Sequence, residues 1–171
     1  MKKLALVILI LLILTGTVYY FFPETKLPVD RKVDKIVVMK SKRKMDVYSK
    51  GQIIKTYRIS LGGDPIGDKE YEGDKRTPEG QYTINDKNPT SGFHKNLGIS
   101  YPNKRDIEEA HEKKLKPGGD IKIHGIRNGL GVIGKFQRMF DWTAGCIALT
   151  DDEMDELYNS VEIGTPIIIL P

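Results

Sequence analysis

Apolar residues run almost unbroken from Leu4 to Phe22, the longest such run in the chain. Lys2 and Lys3 precede it and Pro23 ends it. Nineteen residues at about 1.5 Å each span about 30 Å, the thickness of a bilayer core. Residues 1–22 therefore predict an N-terminal membrane anchor. The alternative is a cleaved signal peptide with an apolar stretch from Leu4 to Leu14 and the small residues Thr15 and Thr17 near a cut. Val18 to Phe22 extend the run with aromatics suited to a membrane interface, which favours a retained anchor. Either way the domain behind it is exported. Residues 23–32 read as a polar linker, and residues 33–171 as one domain.

In that domain the period of the pattern changes. Lys35 to Lys40 and Lys44 to Tyr48 read as strands, Ser49 to Gln52 as a turn, and Ile53 to Leu61 as a third strand, together a meander. Residues 64–80 read as a long polar loop, punctuated by Gly73-Asp74 and Pro78-Glu79-Gly80. Gln81 to Ile84 reads as a short strand and Asn85 to Gly92 as a loop. Asn103 is placed to cap a helix from Lys104 to about Leu115, with Ile107, Ala110, His111 and Leu115 on one face. Ile121 to His124 is a compact strand, residues 128–138 a glycine-bearing basic loop, and Cys146 to Leu149 a short apolar strand or turn. Thr150 with Glu153 forms a capping box that opens a helix to about Asn159. Pro166 to Leu170 closes the chain as a strand. Many short strands with a few short helices predict a mostly-β domain.

Charge sharpens the picture only slightly. Residues 23–146 carry 25 Lys+Arg against 17 Asp+Glu, whereas residues 147–171 carry six acids and no Lys or Arg. A basic body outside the membrane suits an anionic envelope polymer and leaves no role for nucleic acid. Four cations (Lys26, Arg31, Lys32 and Lys35) follow the apolar segment, so orientation rests on the short basic N-tail and the size of the domain behind it.

One cysteine changes the picture more. Disulfides need pairs, and Cys146 has none. A lone exported thiol is either buried and inert or a free nucleophile. Thiol acyl transfer needs a base within reach of the sulfur. Of the three histidines, His111 falls on the helix as a packing or surface residue, and His94 lies in a loop near Tyr101; His94 and Tyr101 are candidates for a pocket. His124 is the better base: it ends a strand, and Gly125 follows it. Gly145 beside the thiol lets backbone come close to a bound carbonyl, so the N–H groups of Gly145 and Cys146 are candidates for an oxyanion hole. A tight turn around a buried cysteine is the competing explanation. No histidine follows Cys146, against a papain-like order, and no arginine follows it, against a sortase order. The histidine spacing matches no zinc motif.

The segments IKIHG and DWTAGCIALT, together with DKIVVMK, RKMDVYSKG, GDKRTPEGQYTI, FHKNLGISYPN and PGGDIKIHG, resemble the L,D-transpeptidase catalytic domain of the YkuD type, in its ErfK/YafK branch. The resemblance covers about residues 33–170. It implies a β-sandwich-like domain acting on peptidoglycan stem peptides, with no cofactor or metal. Cys146 would be the nucleophile, His124 the base, Thr143 the motif's Ser/Thr position and Trp142 a pocket wall. Because Gly125 follows His124, only a backbone carbonyl is at hand locally to orient the ring. Ala148 stands where many members carry Arg or Asn, and Ala144 where many carry histidine. Both flank the thiol and leave the donor stem open.

The function expected from this likeness is attack on the third-residue carbonyl of a stem tetrapeptide, release of D-alanine and transfer to an amine. That amine belongs to another stem or to a lysine of an envelope protein. The alternative is hydrolysis by the same residues, as a peptidase or amidase. A non-catalytic wall-binding protein is a third reading, weakened by the intact His124, Gly145 and Cys146.

Overall fold

Branched residues at every second position build the first sheet, because alternate side chains of a strand face opposite sides. A computed structural model describes residues 1–28 and 30–171. Position 29 of the expected linker lies outside the described residues. The strands are β1 (Lys35–Met39), β2 (Lys44–Ser49), β3 (Gln52–Arg58), β4 (Gly80–Ser91), β5 (His94–Ile99), β6 (Lys122–His124), β7 (Ile147–Ala148) and β8 (Pro166–Leu170). The helices are α1 (Lys2–Phe21), α2 (Lys104–Glu112) and α3 (Asp151–Ser160), with a 3-10 segment at Gly131–Met139 broken at Gly134.

The eight strands form one sheet in the order β3-β2-β1-β8-β4-β5-β6-β7. In β1 the fully buried Ile36 and Val38 alternate with half-buried neighbours, and both pair in register with Ile167 and Ile169 of the parallel strand β8. Long β4 joins the two halves. Gly80 to Thr83 pair with β8, and Ile84 to Ser91 pair with β5. The sheet then curls until its edges meet. Just after β3, Ser60 exchanges two backbone hydrogen bonds with Ala148 of β7, at 3.1 and 2.8 Å. A second bridge joins Gly62 to Thr143. Curling seals the exposed edges that a flat sheet would present and encloses one apolar core, capped by Met154 and Leu157 of α3.

The mostly-β expectation is the observed architecture, with several boundary corrections. Asn85 to Gly92 was expected as a loop, yet residues through Ser91 extend β4. Their polar side chains gave no strand signal, and pairing to β5 supplies the order instead. The α2 helix stops at Glu112, before Leu115. It buries Asp106 and Ala110, while His111 is exposed and Ile107 and Leu115 are only partly covered, so of the expected face only Ala110 is buried. Both capping boxes form: Asn103 with Asp106, and Thr150 with Glu153. In the first, the Tyr82 hydroxyl also donates to the Asp106 carboxylate, whose two oxygens lie at 3.2 and 3.1 Å.

Candidate active site

The seam where the sheet closes also places the chemistry. β6 and β7 run parallel, with Ile123 beside Ile147 and His124 beside Ala148. The two isoleucines face the core. Period-2 alternation therefore turns Lys122 and His124 of β6, and Cys146 just before β7, to the opposite face. There they line a cavity of about 710 Å³ together with Phe93, Asn96, Asp120, Arg127, Trp142, Thr143 and Ala144.

The turn carrying Cys146 is held from three sides. Asp141 Oδ1 accepts from the Leu61 N–H at 3.0 Å, and its Oδ2 accepts from Arg43 at 2.7 Å. Thr143 donates its hydroxyl to the Cys146 carbonyl at 2.7 Å and accepts from the Gly145 N–H at 3.1 Å. Gly145 lies at φ +130°, and a Cβ there would meet the Arg76 carbonyl oxygen at 2.7 Å. Only glycine fits this approach. The loop of residues 62–79 thus backs the turn, itself pinned by a buried Lys69–Asp74 ion pair of 2.7 Å.

His124 is buried, and its Nδ1 lies 2.7 Å from the Gly125 carbonyl oxygen. That carbonyl can only accept, so Nδ1 carries the proton and Nε2 is the basic nitrogen. Phe93 and Trp142 pack on the ring, at centroid distances of 4.7 and 5.6 Å. Burial among them depresses the imidazole pKa, against the pull of the Gly125 carbonyl. Burial likewise pushes the Cys146 thiol up, partly offset by the Lys122 backbone N–H. The resting pair is thus a neutral imidazole and a neutral thiol. The thiol donates to the Asp120 carbonyl at 3.7 Å rather than to the imidazole.

The other sequence candidates separate. Trp142 lines the cavity, its indole N–H donating to Gln137 at 3.0 Å. Thr143 lines it too, as a clamp on the turn. Two backbone candidates are already engaged: the Gly145 N–H by Thr143, and the Gly125 N–H by the carbonyls of Phe93 and Lys95 at 3.1 and 3.3 Å. His94 does not join the cavity lining. Its Nε2 faces Asp155 of α3 at 2.7 Å, because a left-handed backbone at φ 63° turns the side chain that way. Tyr101 is also a correction. It is buried against Tyr82, and its hydroxyl donates to the Pro117 carbonyl at 2.8 Å, away from the pocket.

Sequence reasoning missed Phe93, Asn96, Asp120 and Arg127. Asn96 pairs across the ladder with His124 and so shares its face. Among the described residues its buried Oδ1 has no hydrogen-bond partner. Alternation would have found it only with β5 already drawn. No group of three or more His, Cys, Asp or Glu is gathered to hold a metal ion among the described residues.

A thiol and a tautomer-fixed imidazole facing one cavity, at the seam of a curled sheet, define a cysteine–histidine site on a mostly-β domain. The chain belongs to the YkuD family, the L,D-transpeptidase catalytic domain, whose profile matches residues 34–169. YafK of Escherichia coli (strain K12) is 28% identical over 132 residues, covering 74% of this chain and 46% of that protein. The crystal structure of the helical cell shape determining protein Pgp2 from Campylobacter jejuni superposes with a TM-score of 0.59 at 25% identity, over 82% of this chain and 48% of that one. An L,D-transpeptidase from Mycobacterium smegmatis shares the fold, with a TM-score of 0.54 at 17% identity over 82% of this chain and 59% of that one. The chain thus spans about half the length of the first two relatives.

Proposed function

We propose that this protein is a cell-wall L,D-transpeptidase, held at the outer face of the membrane by residues 1–22, with residues 33–171 as its catalytic domain. The observation that carries the reading is the Nδ1–Gly125 bond, which leaves Nε2 as the base beside the only thiol. Nε2 takes the proton from Cys146 as sulfur attacks the third-residue carbonyl of a stem tetrapeptide. The tetrahedral oxyanion accepts from the Cys146 N–H, joined by the Gly145 N–H if its bond to Thr143 opens. Collapse breaks the amide bond, and the imidazolium returns its proton to the amine of the departing D-alanine. An acceptor amine then attacks the thioester, loses a proton to His124, and restores the thiol. Lys122 is paired with Asp120 at 2.7 Å, so Arg127 leaves the cavity lining with one net positive charge, which suits carboxylate-bearing stems.

The anchor has its own support. α1 is long and apolar enough to cross a membrane, and none of its residues is buried in the domain. A role in cell shape follows by likeness to Pgp2.

Incubating the full chain with purified tetrapeptide muropeptides, with mass spectrometry as readout, tests the reaction. Loss of D-alanine with a cross-linked dimer is expected. Loss of D-alanine with water added would make the protein a hydrolase. If the acceptor is an envelope protein lysine, cross-linking needs that protein in the mixture.

A further inference from the structure

The stretch from Leu130 to Phe140 is built inside out. Its polar residues are the covered ones: Gln137 is 5% exposed and the Arg138 side chain 5%. Arg138 reaches inward to Glu153 at 2.7 Å, and Ser60 donates to the Gln137 carbonyl at 2.9 Å. Its apolar residues point outward, with Val132 78%, Met139 65% and Phe140 70% exposed. A water-facing loop would show the reverse, and contiguous apolar surface of this kind marks a contact site. No carboxylate interrupts the stretch; Arg127, just before it, is exposed, while Lys135 and Arg138 are paired with Glu24.

The position of α1 says what covers this surface. Tyr20 donates its hydroxyl to the Val132 carbonyl at 2.8 Å, and its ring lies 5.5 Å from Phe136. Lys135 donates to the Phe22 carbonyl, the last turn of the helix. Phe136 also reaches Gly16, where a Cβ would lie 3.8 Å from its ring. Gly16 lies four residues, about 6 Å along the helix, deeper than Tyr20. Tyr19 to Phe22 are the aromatics at the outer end of the apolar helix, the level at which such rings seat in a bilayer interface. Val132 and Phe136 therefore sit at interface depth or below.

We propose that residues 130–140 form a wedge that inserts into the outer leaflet beside α1, with a phospholipid surface as its partner. The proposal rests on the reading of α1 as a retained membrane anchor. Leu130 of the wedge lines the catalytic cavity, and Ile133, Phe136 and Phe140 line an apolar pocket that shares Arg127, Leu130 and Trp142 with that cavity, so the wedge holds the cavity against the headgroup layer. Substrates would then enter laterally along the membrane surface.

Single-tryptophan additions in the full chain test this. The variants are Val132→Trp and Met139→Trp, both at exposed sites, reconstituted in phosphatidylethanolamine/phosphatidylglycerol vesicles with or without brominated acyl chains. Leu9→Trp serves as the buried-in-lipid control. Ile163→Trp, 62% exposed beyond the end of α3 remote from the wedge, serves as the water control. Trp142 is a constant background, subtracted from wild type. The expected result is bromine quenching of the added signal at 132 and 139 several-fold above that at 163. Quenching at 132 and 139 equal to that at 163, with Leu9→Trp quenched, overturns the wedge and leaves the anchor; a second copy or a soluble partner would then cover the face. Absence of quenching at Leu9 as well overturns the anchor, and the wedge with it.

Discussion

At the scale of single residues, the site depends on two burial effects of opposite sign. Burial holds His124 neutral below its ordinary value of 6.5 and keeps Cys146 protonated above its ordinary 9.0. The acid limb of kcat/KM should therefore fall below pH 6.5 and the alkaline limb above pH 9.0, giving a plateau wider than an unperturbed pair would show. A pH–rate profile with the acid limb above 6.5 would mean that the imidazole is not buried as described. The same depression ties His124 to stability. The unfolded chain takes up the proton first, so this contribution is present above pH 6.5 and is lost as pH falls through the lower folded value. Cys146→Ala should abolish turnover and change stability by roughly 1 kcal/mol or less, since the sulfur makes only one weak contact. Chemical denaturation beside a turnover assay reads both. Residual turnover in that variant would remove the nucleophile from Cys146.

Elements bring these residues together through the closed seam. The turn Asp141 to Cys146 has no repetitive structure of its own, and its shape comes from Arg43 just before β2, from the residues after β3, and from the loop of residues 62–79. Thr143→Val keeps the volume but loses two hydrogen bonds. It should cost about 1–2 kcal/mol of stability and on the order of tenfold in kcat, as 1.4 kcal/mol corresponds to a factor of ten. An unchanged kcat with a lowered Tm would show that the hydroxyl supports the fold but not the turn's catalytic shape. Gly145→Ala meets both a left-handed backbone and the Arg76 carbonyl, so it should lose about 1–3 kcal/mol. Thermal unfolding measures this directly.

Across the whole molecule, the linker after α1 is tied to the domain as well as to the helix. Glu24 pairs with Arg138 at 2.6 and 3.0 Å, and Arg138 also binds Glu153 of α3. The hydrogen bond to Arg138 holds the Glu24 carboxyl down to about 2. A depressed carboxylate contributes above its unfolded value of 4.5, and that contribution is lost as pH falls through about 2. Amide hydrogen exchange across residues 22–27 should therefore stay slow down to about pH 4 and quicken below it. Glu24→Gln should quicken it at neutral pH. Unchanged exchange in that variant would show that the aromatic contacts of α1, not the ion pair, hold the linker.

Local pattern was enough to read the first three strands, the last strand, both capping boxes, the apolar helix, and Cys146 and His124 as residues that line one cavity. Each rests on neighbours in sequence: alternation, a cap three residues from its partner, or a glycine beside the reactive group. His94 and Tyr101 were misplaced because a left-handed turn and a core contact aim them elsewhere, and neither leaves a mark in the local sequence. The second half of β4 was missed because its order comes from hydrogen bonds to β5 rather than from its own side chains. Asn96, Phe93 and the carbonyl of Asp120 reach the site only through strand pairing and the curl of the sheet. The two groups proposed to react were thus legible in short segments of the chain. Their tautomer, their burial and the company they keep were decided when a sheet of short strands closed on itself, since closure brings together residues more than eighty positions apart such as Ser60 and Ala148.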